Sequence, residues 1–234
     1  MHRRKFLASL ASLAASVTVD LEAQQHPSII FHFESVPQGV YPMTIKDRKK
    51  IEDLVLEAAL QFNSRQYVPQ PVNLISSDYR TEIYFSENQR RGSFYPFARS
   101  CTINLDSSIL PFDGHLLSVA FHEFSHEYDV LCGEFENQIQ ENERCRSRNQ
   151  EVKNDEIDEN RLRKLMHQGL LIKREILRSE VSAYTRNLAY LPSLKTRKWS
   201  PQHTLEYHQE NLQSYLKANS RELYFLEQTI SSSR

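Results

Sequence analysis

The sequence predicts an α+β fold, and three features carry that prediction. Short segments rich in β-branched and aromatic residues fill much of the first half. An amphipathic helical pattern interrupts them. The second half is dominated by Leu, Lys, Arg, Glu and Gln, which favour helices, and the whole chain has only five Gly in 234 residues. In chain order, residues 28–34 (S-I-I-F-H-F-E) form a strand. Residues 44–65 form a helix with Ile45, Ile51, Leu54, Val55, Ala58, Ala59 and Phe62 along one side, and Thr44 caps its start. Three strand-like pieces follow, at 72–76, 81–85 and 101–105. A turn containing Pro111 and Gly114 leads into a helix over 115–131. Residues 134–161 are charge-rich and read as a solvated loop, a frayed helix or a lid. Residues 162–177 are helical by composition, and Leu205, Leu212, Tyr215, Leu216, Leu223, Leu226 and Ile230 place one long helix or two after Pro201.

The N-terminus reads as an export signal over residues 1–23. A basic stretch, Arg3-Arg4-Lys5, precedes a short run rich in Ala, Leu and Ser. Arg3-Arg4 followed by Phe6-Leu7 resembles a bacterial twin-arginine signal. Cleavage is expected after Ala23, with Ala15 as an alternative. The remainder, 24–234, suits one domain: 24–132 with the strands and the 115–131 helix, and 133–234 largely helical. The expected location is periplasmic or secreted. Formal net charge is −1, and no basic stripe points to nucleic acid. No later segment reaches eighteen apolar residues, so no membrane span is expected. Cys101, Cys132 and Cys145 make an odd set. Cys132 could pair with Cys145 in an oxidising compartment, and other pairings or none stay open.

The most informative stretch is His122-Glu123-Phe124-Ser125-His126. Positions i and i+4 of a helix share one face, so both imidazoles can reach one metal ion. Glu123 lies about 100° around the helix from His122, close enough to touch a water on that metal. Apolar residues at Leu117, Ala120, Phe121, Phe124, Tyr128 and Leu131 give the helix a buried face. The pattern therefore sits where the chemistry needs it, on a helix pinned by a core. Two surface histidines on an ordinary core helix are the competing interpretation.

Here the chain resembles the zincin metallopeptidases, over the 115–131 helix, the segment before it and one segment downstream. The resemblance implies a zincin-like fold, with a small mixed sheet packed on the metal-binding helix. It implies Zn2+ as cofactor, His122 and His126 as ligands and Glu123 as general base. In that family the strand before the metal helix often edges the cleft, which makes 101–105 the expected edge. The loop from Gly92 to Phe97 would lie nearby with its aromatics. Glu127 departs from the family pattern, which has an uncharged residue there.

A catalytic zinc needs a third protein ligand and an open position. The metzincin positions are Asp129 and Cys132, and the turn-forming Gly of that pattern is missing. Ser179-Glu180-Val181-Ser182-Ala183-Tyr184 is similar to the gluzincin segment, which makes Glu180 the implied ligand. His167 lies thirteen residues earlier and about 140° off that helix face, and Cys132 or an acidic residue of 151–159 stays open. Many gluzincins carry an Asp four residues after the ligand Glu, and Tyr184 stands there instead. Tyr184 is the candidate to steady the oxyanion, with His203, Tyr207 and His208 behind it. His115 either lines the cleft or caps the helix.

The expected function is zinc-dependent hydrolysis of a peptide or protein substrate. An inactive metal- or partner-binding protein on the same scaffold is the alternative, supported by Tyr184 and Glu127 at their unusual positions. A secreted effector with a narrow protein target would share the chemistry.

Overall fold

The computed structural model describes residues 28–33, 44–76, 78–86, 92–148 and 159–232. The export segment 1–23 and the acidic residues of 151–158 lie outside them. The fold is mixed α+β: a four-stranded sheet in the first half, then a mainly helical second half.

Strands β1 (Ile29–His32), β2 (Arg80–Ser86), β3 (Gly92–Pro96) and β4 (Ser100–Asp106) line up in the order β1-β2-β4-β3. The first three in that order run parallel, and β3 is antiparallel to β4. Period-two alternation sends Thr81, Ile83 and Phe85 of β2 and Cys101, Ile103 and Leu105 of β4 into the core. Two expectations change here. Residues 92–97 are mainly strand rather than loop, and β3, not β4, is the sheet's edge beside the helix that carries the motif. Gly92 and Pro96 hide the strand from a pattern search, yet Pro is tolerated at an edge. Residues 72–76 do not form a strand; Leu74–Ser76 is a single 3₁₀ turn.

Helix α1 (Ile45–Leu60) begins at Thr44, whose hydroxyl accepts from Asp47 N–H while Asp47 accepts from Thr44 N–H. Its buried face, Ile51, Leu54, Val55, Ala58 and Ala59, packs on helix α2 (Asp113–Leu131). Phe121 of α2 stacks on Phe62 at 4.9 Å and on Tyr190 at 4.3 Å between ring centroids, and it is fully buried. Burial of such a ring contributes on the order of 2–3 kcal/mol. Near the start of α2, Gly114 N–H donates to Lys198 O at 2.9 Å, and a side chain there would meet the Trp199 ring at 2.5 Å. The helix stops in a Schellman motif. Gly133 adopts φ +84°, its N–H donates to Val130 O, and Glu134 N–H donates to Asp129 O.

The charge-rich run is partly a helix, α3 (Glu136–Arg148). A carboxylate from the next helix holds its start: Glu175 accepts from the N–H groups of Asn137 and Gln138. Helix α4 (Glu159–Tyr190) is 32 residues long and packs on α2, α3 and α5 (Leu205–Ser232). The region after Pro201 thus forms one long helix. It returns along α4, with Tyr184 stacked on Tyr215 and Lys173 paired to Glu222. Among the described residues no helix is long and apolar enough to cross a membrane.

Candidate metal centre

The sequence puts His122 and His126 on one turn-to-turn face of α2, and packing of α4 across that face brings Glu180 to them. His122 Nε2 lies 3.4 Å from Glu180 Oε2, and His126 Nε2 lies 3.7 Å from Glu180 Oε1. One ligand atom from each of the three residues falls within 4.8 Å of the others. Tetrahedral zinc with bonds of about 2.0–2.1 Å needs ligand atoms about 3.3 Å apart. Each imidazole nitrogen meets its own carboxylate oxygen near that separation, and the three residues together lie within 4.8 Å, close enough for one cation to draw them in. Glu180 Oε2 is buried and turned toward His122 Nε2.

Burial raises the pKa of Glu180, but the hydrogen bond from His122 and the charge of both imidazoles outweigh it and bring the carboxyl down to about 2. Burial lowers His126 to about 3, with His122 adding to the effect. His122 is raised: burial opposes its charge, but Glu180 and Glu123 favour it more strongly. Glu123 is buried, which pushes it up to about 7 despite the pull of His122. Such a group exchanges a proton readily near neutral pH.

These residues share a cavity of about 740 Å³. Helices α2 and α4 form its floor, with His122, Glu123, His126, Glu180 and Tyr184. Edge strand β3 lines it with Gly92, Ser93, Phe94 and Tyr95, and α5 lines it with Tyr207, His208, Asn211 and Tyr215. The approach of β3 is close enough that a Cβ on Gly92 would lie 3.0 Å from Glu123 Cδ and 2.9 Å from Val119 Cγ1. Only glycine leaves room for the Glu123 carboxylate in its present place.

The other sequence candidates separate clearly. Tyr184 packs 4.6 Å from the His122 ring, centroid to centroid, and its phenol hydrogen-bonds Glu180; burial first and that carboxylate second raise its pKa. Tyr207 and His208 reach the cavity, whereas His203 does not line it. His115 is buried against Trp199, His203 and His208 and does not line the cavity either. His167 is exposed on α4 and lies outside the cluster. Cys132 is an exposed free thiol at the end of α2, away from the ligands, and Cys101 is a buried free thiol. Glu127 turns away from the cavity. It is fully buried between α2 and the sheet, where Thr81 and Cys101 hydrogen-bond it, and burial raises it to about 8.

Sequence reasoning missed the surroundings of His126. Its Nδ1 is 2.8 Å from Ser179 Oγ, Ser179 donates to Asp129 Oδ2 at 2.6 Å, and Arg186 donates to Asp129 Oδ1 at 2.7 Å. Burial raises the Asp129 pKa, and the Arg186 guanidinium and the Ser179 hydroxyl oppose that rise. The available signal is weak: a Ser beside Glu180, and an Asp three residues after His126.

Comparison with protein-family models, curated proteins and solved structures finds no match. The chemistry of the site therefore carries the functional interpretation alone.

Proposed function

We propose that the protein is a zinc-dependent metallopeptidase of gluzincin type that works outside the cytoplasm. The supporting observation is that His122, His126 and Glu180 converge with ligand spacing in a cavity where Glu123 stands ready beside them. Zinc held by those three residues would polarise a scissile carbonyl and acidify a water molecule. Glu123 takes the proton of the attacking water and delivers it to the amine nitrogen as the C–N bond breaks. Tyr184, whose phenol bonds Glu180 here, would turn that proton to the carbonyl oxygen as negative charge builds there. An extended peptide can pair its main chain with the outer edge of β3 ahead of Pro96, whose carbonyl is taken by Asn142, beside the cavity. The basic and apolar N-terminal segment supports export.

The test is metal analysis and peptide hydrolysis on purified protein and on Glu123→Gln. One zinc per chain, cleavage of a mixed peptide library, and at least ~10²-fold loss of cleavage with zinc retained in the variant are expected. Zinc without cleavage by the parent protein would make it a metal-binding protein instead. Absence of bound zinc would end the proposal.

A further inference from the structure

A metal-bound imidazole must present a lone pair, so one ring nitrogen carries a proton and the other must not. The partner of the remote nitrogen decides which. For His126 the partner's own partners fix the answer. Asp129 is 3 % exposed and ion-paired with Arg186 at 2.7 Å. As a carboxylate it can only accept hydrogen bonds. Ser179 must then donate its single hydroxyl proton to Asp129 Oδ2, 2.6 Å away. With that proton committed, Ser179 Oγ can only accept from the ring atom on its other side. His126 Nδ1 must therefore be the protonated nitrogen in the 2.8 Å contact. Nε2, the atom that faces Glu180, is left with its lone pair exposed.

Arg186 completes the chain and is itself held. Its guanidinium donates to Ser125 O at 3.2 Å and sits over the Tyr128 ring at 4.7 Å. Both contacts lie on α2, within a turn of His126. Ser179 is also the residue just before Glu180, so one hydroxyl orients one ligand while its backbone carries another. His122 has no equivalent: its Nδ1 is buried and meets no hydrogen-bond partner among the described residues.

We propose that Ser179, Asp129 and Arg186 form a positioning relay that fixes His126 as the Nδ1–H tautomer and aims Nε2 at the metal. It rests on the metal-centre interpretation above, yet it makes a claim about the metal-free protein too.

The matched pair Ser179→Thr and Ser179→Val tests it, since the two side chains share a shape and differ in the hydroxyl. Zinc affinity is measured by competition with a chromophoric chelator. Ser179→Val should bind zinc 10–100-fold more weakly than the parent, and Ser179→Thr should lie near the parent. Independently, two-bond 15N–1H spectra of 15N-histidine-labelled, metal-free parent protein at pH 7 should show His126 as the Nδ1–H tautomer, assigned through His126→Gln. An Nε2–H tautomer at His126, or Val and Thr variants with equal affinity, would overturn the relay. If the parent binds no zinc, or if both Ser179 variants fail to fold, the tautomer alone decides.

Discussion

Substitution of Gly92 by Ala asks how tightly the edge strand registers Glu123, the proposed general base. The added Cβ would lie 3.0 Å from Glu123 Cδ and closer still to Oε1, whereas ordinary contact begins near 3.4 Å. The carboxylate must retreat by on the order of 1 Å at its oxygen. Its tip is flexible, and Ala suits a strand as well as Gly does, so the change in stability should stay within about 1 kcal/mol. Catalysis is less forgiving. A misplacement of ~1 Å costs about 10²-fold, which corresponds to ~2.7 kcal/mol of barrier. The assay is kcat/KM on a peptide that the parent cleaves, with zinc content and Tm read on the same samples. Gly169→Ala is the control, because a Cβ there meets nothing within 4 Å. Its activity should equal the parent's. Parent-like kcat/KM in Gly92→Ala would refute the idea that β3 fixes Glu123. So would a loss that tracks zinc content.

Two other perturbations probe the body of the protein. Folded Glu127 holds its proton up to about pH 8, whereas the unfolded carboxyl releases it near 4.5. Between those values unfolding releases a proton, so rising pH removes stability. Glu127→Gln should cancel that slope, with Tm pulling ahead of the parent's from pH 5 to pH 8 in thermal melts; parallel curves would contradict it. Phe121→Ala empties the space between Phe62 and Tyr190 and should cost about 3–5 kcal/mol in urea denaturation. A loss below 1 kcal/mol would mean that this stack is not the core it resembles.

Much of this is legible in the sequence because it is local. The spacing of His122 and His126 and the apolar stripe of α2 are properties of one helix, and Glu180 stands out through its small neighbours. What escapes is pairwise and distant. Asp129 and Ser179 are fifty residues apart, and no periodicity links them. Asp129 registers in the sequence only as a missing glycine, and the true stop of the helix comes at Gly133. Strand β3 escapes because Gly92 and Pro96 are breakers in any local scale, although an edge position and a close approach tolerate both. Glu127 shows in the sequence only as an unexpected charge after the second His, because burial of a carboxyl is decided by the sheet beneath it. Helix α3 has too few apolar residues to signal itself and depends on Glu175, from another element, to hold its first turn.

Helix α5 gives nothing to the triad, yet Tyr207, His208, Asn211 and Tyr215 make up a whole side of the chamber. Under the proposed peptidase function, reactivity and selectivity would be housed in different parts of the molecule. Substitutions along that last helix would then alter which peptides fit while leaving the metal-binding residues in place.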